Sequence, residues 1–320
     1  MKAVVYKHYG TSDVLSVQER ETPVPKDGEV LIRVHAASIN SWDWDMIRGK
    51  PWIVRMWGLL QPTHQIPGAD IAGVVVATGS GCTRFKSGDE VYGDLNEVGW
   101  GGFAEYVSVP EKWLVPKPAF ITFEEAAAIP QAGLMALQAV RDKGELRAGQ
   151  HMLIIGAGGG VGTFAIQLAR AVGGIVTAVD AESKLDMLTS LGADDVVDYR
   201  RTDITTTGKK FDLIVDVVAR HPPGTYKRML NRGGKFLMIG GTMRAIFQTM
   251  AFGKLISDKE RHVGMLTYRT NKGLDDFETL LKDGKVRVVV DRVFPMAEIR
   301  EAFRYYATAA FRGKVVISMR

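Results

Sequence analysis

The chain has 320 residues, 46% hydrophobic and 24% charged, with 41 Lys and Arg against 36 Asp and Glu for a net charge of +5. That length allows two domains with sizeable cores, and a surplus so mild and so evenly spread argues against a nucleic-acid binder. The lone cysteine, Cys82, excludes an intramolecular disulfide and a multi-cysteine zinc site. No run of about 18 apolar residues offers a membrane span, and residues 1–9 lack a secretory pattern, so a cytoplasmic address is expected.

Residues 1–120 hold short apolar or alternating runs at 2–6, 29–36, 71–78, 90–92 and 103–109, separated by Gly-, Pro- and Asp-containing turns. This spacing predicts a compact β-rich domain. Asp94, Asn96 and Glu97, after the fourth run, read as solvated. Thr122-Phe123-Glu124-Glu125 then matches a capping box ahead of an apolar helix over 126–140. Beyond it strands alternate with helices. Strands are predicted at 151–155, 175–179, 194–197, 213–217, 235–239 and 262–267, and helices at 161–172, 184–191 and 224–230. Such alternation predicts an α/β doubly wound parallel sheet. The tail, with helices near 274–282 and 297–306 and a strand at 314–318, is too short for a domain and is expected to fold back onto the β-rich part.

The most informative segment is the turn after the strand 151–155. Gly156, Gly158, Gly159, Gly160 and Gly162 lie between an apolar run and a helical pattern. Position 161, where a strict G-x-G-x-x-G counted from Gly156 needs glycine, is Val161. A glycine every third residue fits instead. Gly156 makes the tight turn, Gly159 lies bare against a pyrophosphate, and Gly162 lets the helix pack closely on the strand. Asp180 ends the next strand, where an acid accepts ribose hydroxyls and repels a 2′-phosphate, favouring NAD(H). Lys184, Tyr199, Arg200 and Arg201 could instead gather around that phosphate and favour NADP(H), so the choice stays open. Val218 and Gly240-Gly241-Thr242 end two further strands, where such sheets bind ligands. The histidines show no metal-binding spacing, and no metal is expected.

Four segments carry a family pattern: Asn40-Ser41-Trp42-Asp43 with Arg48-Gly49, Pro67-Gly68-Ala69-Asp70-Ile71-Ala72-Gly73-Val74-Val75, Gly102-Phe103-Ala104-Glu105-Tyr106-Val107, and Leu191-Gly192-Ala193-Asp194. With the glycine turn, they make the chain resemble the medium-chain dehydrogenase/reductase superfamily, especially its zinc-free quinone oxidoreductase branch, over residues 2–318. The resemblance implies a GroES-like catalytic domain, 1–121 with 268–320, around a Rossmann domain, 122–267, with the cofactor in a cleft between them. It also implies a homodimer joined through the last Rossmann strand, near 262–267. In the zinc-dependent branch the second segment would read Gly-His-Glu and a cysteine would stand near Asn40; here Gly68-Ala69-Asp70 and Asn40 stand there instead. The family often has threonine against the nicotinamide where Met135 stands.

Alanine cannot ligate a metal, and without a Lewis acid alcohol oxidation loses its activator. The expected reaction is therefore hydride transfer to a small-molecule acceptor, a quinone or an activated enone. From the family's Asn-x-x-Asp motif, Asn40 would hydrogen-bond the acceptor carbonyl, and Asp43 would orient Asn40 or a proton-delivering water. Both residue types equally suit a turn or a helix N-cap. Trp42, Trp44, Trp52 and Trp57, with Trp100, suit a flat acceptor or ordinary core packing. An alcohol dehydrogenase or enoyl reductase on the same scaffold is the alternative, and a non-catalytic NAD(P)H sensor is the alternative of another class.

Overall fold

The computed structural model describes residues 1–319, apart from the side chains of Ile53 and Trp57. Two compact units result: residues 1–131, 270–278 and 288–320, and residues 132–269 with 279–287. No helix among the described residues is long and apolar enough to cross a membrane.

A seven-stranded sheet builds the first unit. Its order is Val290–Pro295, Lys314–Ser318, Glu29–Ser38, Asp70–Thr78, Glu90–Asp94 and Val115–Pro116, with Tyr106–Pro110 on the first half of Glu29–Ser38. The first pair is parallel and the others are antiparallel. Its core includes Ile32, Ile71, Val91, Phe103, Phe303 and Ile317, all buried. The C-terminal strand thus folds back beside Glu29–Ser38, as the tail's length predicted.

Register then decides chemistry. Val316 lies opposite Ser38, Ser38 opposite Asp70, and Asp70 opposite Asp94. One row across four strands therefore carries three polar residues, all fully buried. This corrects the solvated reading of Asp94. Its strand runs two residues past Tyr92, and Asn271 satisfies its backbone on both sides, accepting from Asp94 N–H at 2.9 Å and donating to its carbonyl at 2.8 Å.

Thr122 and Glu125 form the expected capping box, with bonds of 3.1 and 2.8 Å. The helix beyond it is broken. It runs Phe123–Ala127, restarts at Pro130–Leu137, and ends in a π-helical turn, Gln138–Lys143. Pro130 lacks an N–H and disfavours helical backbone at Ile129, so it begins a helix rather than continuing one. Residues 122–131 lie with the first unit, not the second where the sequence pattern placed them. The Phe123 ring packs 4.2 Å from that of His35, and Gln131 N–H donates to Asp70. Conversely, Arg287 belongs with the second unit through paired bonds to the Gln167 amide, at 2.8 and 3.0 Å.

In the second unit six parallel strands run in the order Asp195–Asp198, Ile175–Asp180, His151–Ile155, Phe211–Asp216, Leu230–Met238 and His262–Met265. Near-continuous apolar runs such as Met152-Leu153-Ile154 suit strands covered on both faces. Chain order reverses beside His151–Ile155, so the crevice at its carboxyl end is the natural ligand site of this sheet. The helix Met243–Ile256 had no sequence prediction, because Met243, Phe247, Met250, Phe252 and Leu255 leave its exposed face apolar and blur the helical period.

Candidate active site

Asn40 follows the strand Glu29–Ser38 and N-caps the helix Ser41–Arg48. Asp43, in the first turn, accepts from Asn40 N–H at 2.8 Å and from Gly68 N–H at 3.0 Å. It therefore pins the helix start to the turn before Asp70. Both residues are buried, as either the catalytic or the capping reading requires. Burial, with Asp70 nearby, pushes the Asp43 carboxyl up to about 7 against the pull of those two N–H groups.

Three further side chains meet Asn40. Its Nδ2 donates to Asp70 Oδ2 at 3.0 Å, and its Oδ1 accepts from Lys314 Nζ at 2.5 Å. Lys314 also lies 3.5 Å from Asp70 Oδ2, while Ser38 Oγ donates to that oxygen and Gln131 N–H to Oδ1. Burial raises the Asp70 pKa and lowers that of Lys314, and their mutual attraction opposes both shifts. Sequence reasoning missed Lys314 because only the sheet pairing, with Val316 opposite Ser38, brings position 314 to positions 40 and 70.

At the same place the residues do not fit zinc. Position 69 is a buried methyl packed with Met46, Val54, Trp100 and Trp42. The remaining oxygen donors, on Asn40 and Asp70, already hold an ammonium. No group of three or more His, Cys, Asp or Glu suited to a metal occurs among the described residues.

The tryptophans part company. Trp42 lines the apolar patch around Ala69, whereas Trp44, on the opposite helix face, packs 5.8 Å from Phe303 in the main core. Trp52 is exposed, and the Trp57 side chain lies outside the described residues. Core packing, not an acceptor wall, accounts for Trp44. Trp100 is the better aromatic neighbour of Ala69. It is buried with φ 62°, its Nε1 has no acceptor among the described residues, and His64 meets its ring edge-on at 4.8 Å. A bulky residue at positive φ is strained.

On the second unit the glycine turn has the tight local geometry expected at Gly156 and Gly162. Gly156 has φ 80°. A Cβ at Gly162 would stand 2.3 Å from Ala157 O, while one at Gly159 would meet only Gly156 O at 3.7 Å. Gly159 thus leaves open room before the helix Gly160–Ala171, whose first turn has no side-chain cap. Bare backbone and an uncapped helix N-terminus fit a pyrophosphate, with Gly158, Gly160 and Val161 beside it. At the neighbouring strand ends, a Cβ at Gly240 would stand 2.6 Å from Val217 O, and one at Gly241 2.7 Å from Ala219 O. Val218 is exposed there, and Thr242 caps the next helix by accepting from Ala245 N–H.

Asp180 is more committed than its position suggested. It accepts from Gly158 N–H at 2.7 Å and Ala181 N–H at 2.8 Å, and lies 3.6 Å from Lys184 Nζ. Tyr199 N–H donates to the Asp180 carbonyl. The guanidinium groups of Arg200 and Arg220 lie 5.7 and 6.0 Å from that ring. Arg201 turns to Glu182 and Asp198 instead.

The family model of the alcohol dehydrogenase GroES-like domain matches residues 26–119, and that of the zinc-binding dehydrogenases matches residues 191–317. A chloroplast envelope quinone oxidoreductase homolog of Arabidopsis thaliana is 32% identical, over 99% of this chain and 98% of its own. An NADPH-dependent alkenal/one oxidoreductase, chloroplastic, of the same plant is 33% identical, over 99% of this chain and 79% of its own. The solved quinone oxidoreductase of Coxiella burnetii superposes with a TM-score of 0.91 at 28% identity, covering 100% of this chain and 99% of that one.

Proposed function

This chain belongs to the medium-chain dehydrogenase/reductase superfamily, in its quinone oxidoreductase-like branch, and on that premise we propose that it is an NADPH-dependent, zinc-independent reductase of quinones or activated enones. The observation that carries the reading is the pairing of Ala69 with a Lys314 ammonium on Asn40 and Asp70. With no donor set for a Lewis acid among the described residues, the favoured acceptor is one already electron-poor. A bound nicotinamide supplies the hydride. The chain's own part is to hold the acceptor in contact and to offer an Asn40 N–H to the oxygen that gains charge, while Asp43 fixes the helix start that carries Asn40.

Preference for NADPH is supported by the commitment of Asp180. Its carboxylate faces two N–H groups and Lys184, so it has little charge left to repel a 2′-phosphate. Tyr199, whose N–H meets the Asp180 carbonyl, has the Arg200 and Arg220 guanidinium groups about its ring, an aromatic and cationic rim suited to that phosphate. Homodimerisation through the strand His262–Met265 belongs to the same proposal.

Steady-state oxidation of NADPH and NADH against a panel of quinones, enones and alcohols, with metal analysis of the purified chain, tests the reading. Quinone or enone turnover with at least about a tenfold preference for NADPH is expected from the loss of charge-assisted phosphate contacts. One tightly bound zinc per chain together with oxidation of secondary alcohols would overturn it.

A further inference from the structure

We propose that Lys314 is a positioning residue for Asn40, an organic cation standing where the zinc-dependent branch holds its metal, and that it fixes the Asn40 carboxamide so that an N–H faces the acceptor. The inference rests on the reductase reading above. Three observations carry it.

The first is place. The family resemblance puts a catalytic cysteine near position 40 and a glutamate at position 70, and Lys314 Nζ lies 2.5 Å from Asn40 Oδ1 and 3.5 Å from Asp70 Oδ2. The ammonium therefore sits between the two residues that replace them. The sheet delivers it there, since the strand Lys314–Ser318 pairs with Glu29–Ser38, which pairs in turn with Asp70–Thr78.

The second is the flip state of the amide. An ammonium has only donors and a carboxylate only acceptors. Asn40 must turn Oδ1 to Lys314 and Nδ2 to Asp70, as the bonds show. The Asp43 N–H also faces the Asn40 side chain in the capping box, but Lys314 is the charged donor on Oδ1, and without the ammonium the amide loses the contact that most strongly selects its orientation.

The third is the donor that remains. Nδ2 carries two hydrogens, and Asp70 takes one. The other has no acceptor among the described residues. A cation on the carbonyl side of an amide draws electron density from its nitrogen and strengthens the N–H as a donor, more so in a buried setting. Asn40 and Lys314 are each at least nine-tenths buried. The arrangement thus carries a fixed positive charge to the acceptor oxygen through one amide, ready before charge develops there.

A purely structural role, neutralising Asp70, predicts something different, and a double-mutant cycle separates the two. Lys314→Met, Asn40→Ala and the double variant are compared for kcat, for KM of acceptor and of NADPH, and for the isotope effect with NADPH deuterated at the transferred hydrogen. Folding is followed by near-UV circular dichroism. The expected result is a drop in kcat of about 10- to 100-fold in Lys314→Met, by analogy with removal of an aligned donor. KM for NADPH stays unchanged, the isotope effect rises towards its full value, and the double variant is no slower than Asn40→Ala alone. Lys314→Arg recovers part of the rate. Unchanged kcat in a folded Lys314→Met, or losses that multiply in the double variant, would overturn the inference. Should Lys314→Met leave Asp70 unpaired and fail to fold, Asp70→Asn with Lys314→Met removes both charges and takes its place in the cycle. A wild-type chain inactive against every acceptor sinks the reductase reading itself, whereas an active wild type with indifferent variants sinks only the role of Lys314.

Discussion

Arg220 and Asp43 show how differently a single charge acts at a rim and in a core. Arg220 is exposed, with its guanidinium 6.0 Å from the Tyr199 ring, while Asp180 is already satisfied by Gly158, Ala181 and Lys184. Replacing it by alanine disturbs no core. Arg220→Ala is expected to raise KM for NADPH about tenfold, the worth of one charge-assisted bond to phosphate, and to leave KM for NADH unchanged; equal effects on both cofactors would remove Arg220 from the phosphate site. Asp43 acts through stability. Its carboxyl titrates near 7 in the folded chain against 3.8 for the ordinary group. Below pH 4 both states hold the proton. Between about 4 and 7 only the folded state keeps it, so stability falls as pH rises through that window, by roughly 4 kcal/mol in all. Asp216, pushed to about 6 by burial, adds a shallower loss of the same sign. Urea unfolding between pH 5 and pH 8 should show this decline, and Asp43→Asn should flatten most of it. A slope unchanged by that substitution would mean that Asp43 is ionised in the fold. Asn40 and Asp43 were visible in the sequence because a short motif carries them, whereas Lys314 was not: its partner lies 274 residues away and is set by sheet register.

The glycine turn shows how far an element can be read before its structure is known. Spacing alone assigns Gly156 the tight turn and Gly162 a close approach, and the geometry at both agrees, while Gly159 has the open space a pyrophosphate would need. The strand before the turn ends where expected, because a buried apolar run flanked by glycine leaves little choice. The helix after Thr122 was legible at its start, where side-chain chemistry is local, and illegible in its course, where Pro130 divides an apolar stretch that reads as continuous. The helix Ser41–Arg48 hid for the opposite reason: eight residues are too few for a period, and two tryptophans on opposite faces conceal the buried side. Gly159 and Gly162 supply a paired test. Gly162→Ala would force a Cβ to 2.3 Å from Ala157 O and 2.4 Å from its Cα. Since backbone cannot swing aside, a destabilisation of about 1–3 kcal/mol is expected. Gly159→Ala meets nothing nearer than 3.7 Å in the chain itself, so the fold should hold while its methyl enters the space assigned to pyrophosphate. Chemical denaturation and NADPH titration should therefore separate the two, with Gly162→Ala losing stability and Gly159→Ala losing affinity. If Gly159→Ala binds NADPH as the wild type does, the pyrophosphate does not lie on that glycine.

At the scale of the whole molecule, the parallel sheet stops at a strand whose outer edge pairs with no other strand among the described residues. His262–Met265 pairs with Leu230–Met238 on one side only. An open edge of that kind is a template for another strand unless it is blunted by charge, proline or a bulge, and His262-Val263-Gly264-Met265 has none of these. The helix Met243–Ile256 packs beside it and exposes Phe247 at 68%, Met250 at 70% and Leu255 at 81%. Apolar side chains that prominent, next to a free edge, form the kind of patch that monomers seldom leave in water. Edge and helix face together suit a twofold contact in which the strand meets its own copy and each helix covers part of the other, an isologous arrangement that closes on itself. Light scattering after size exclusion should return twice the mass of the chain. Phe247→Glu with Met250→Glu places two carboxylates on each side of that contact, where burying unpaired charge is costly, and should shift the mass towards that of one chain at micromolar concentration. Since these residues lie on the outer face of the helix, NADPH titration of the variant should still report a folded second unit. A wild type that stays monomeric at high concentration would show that the edge is left open in solution and that the apolar helix face has another use.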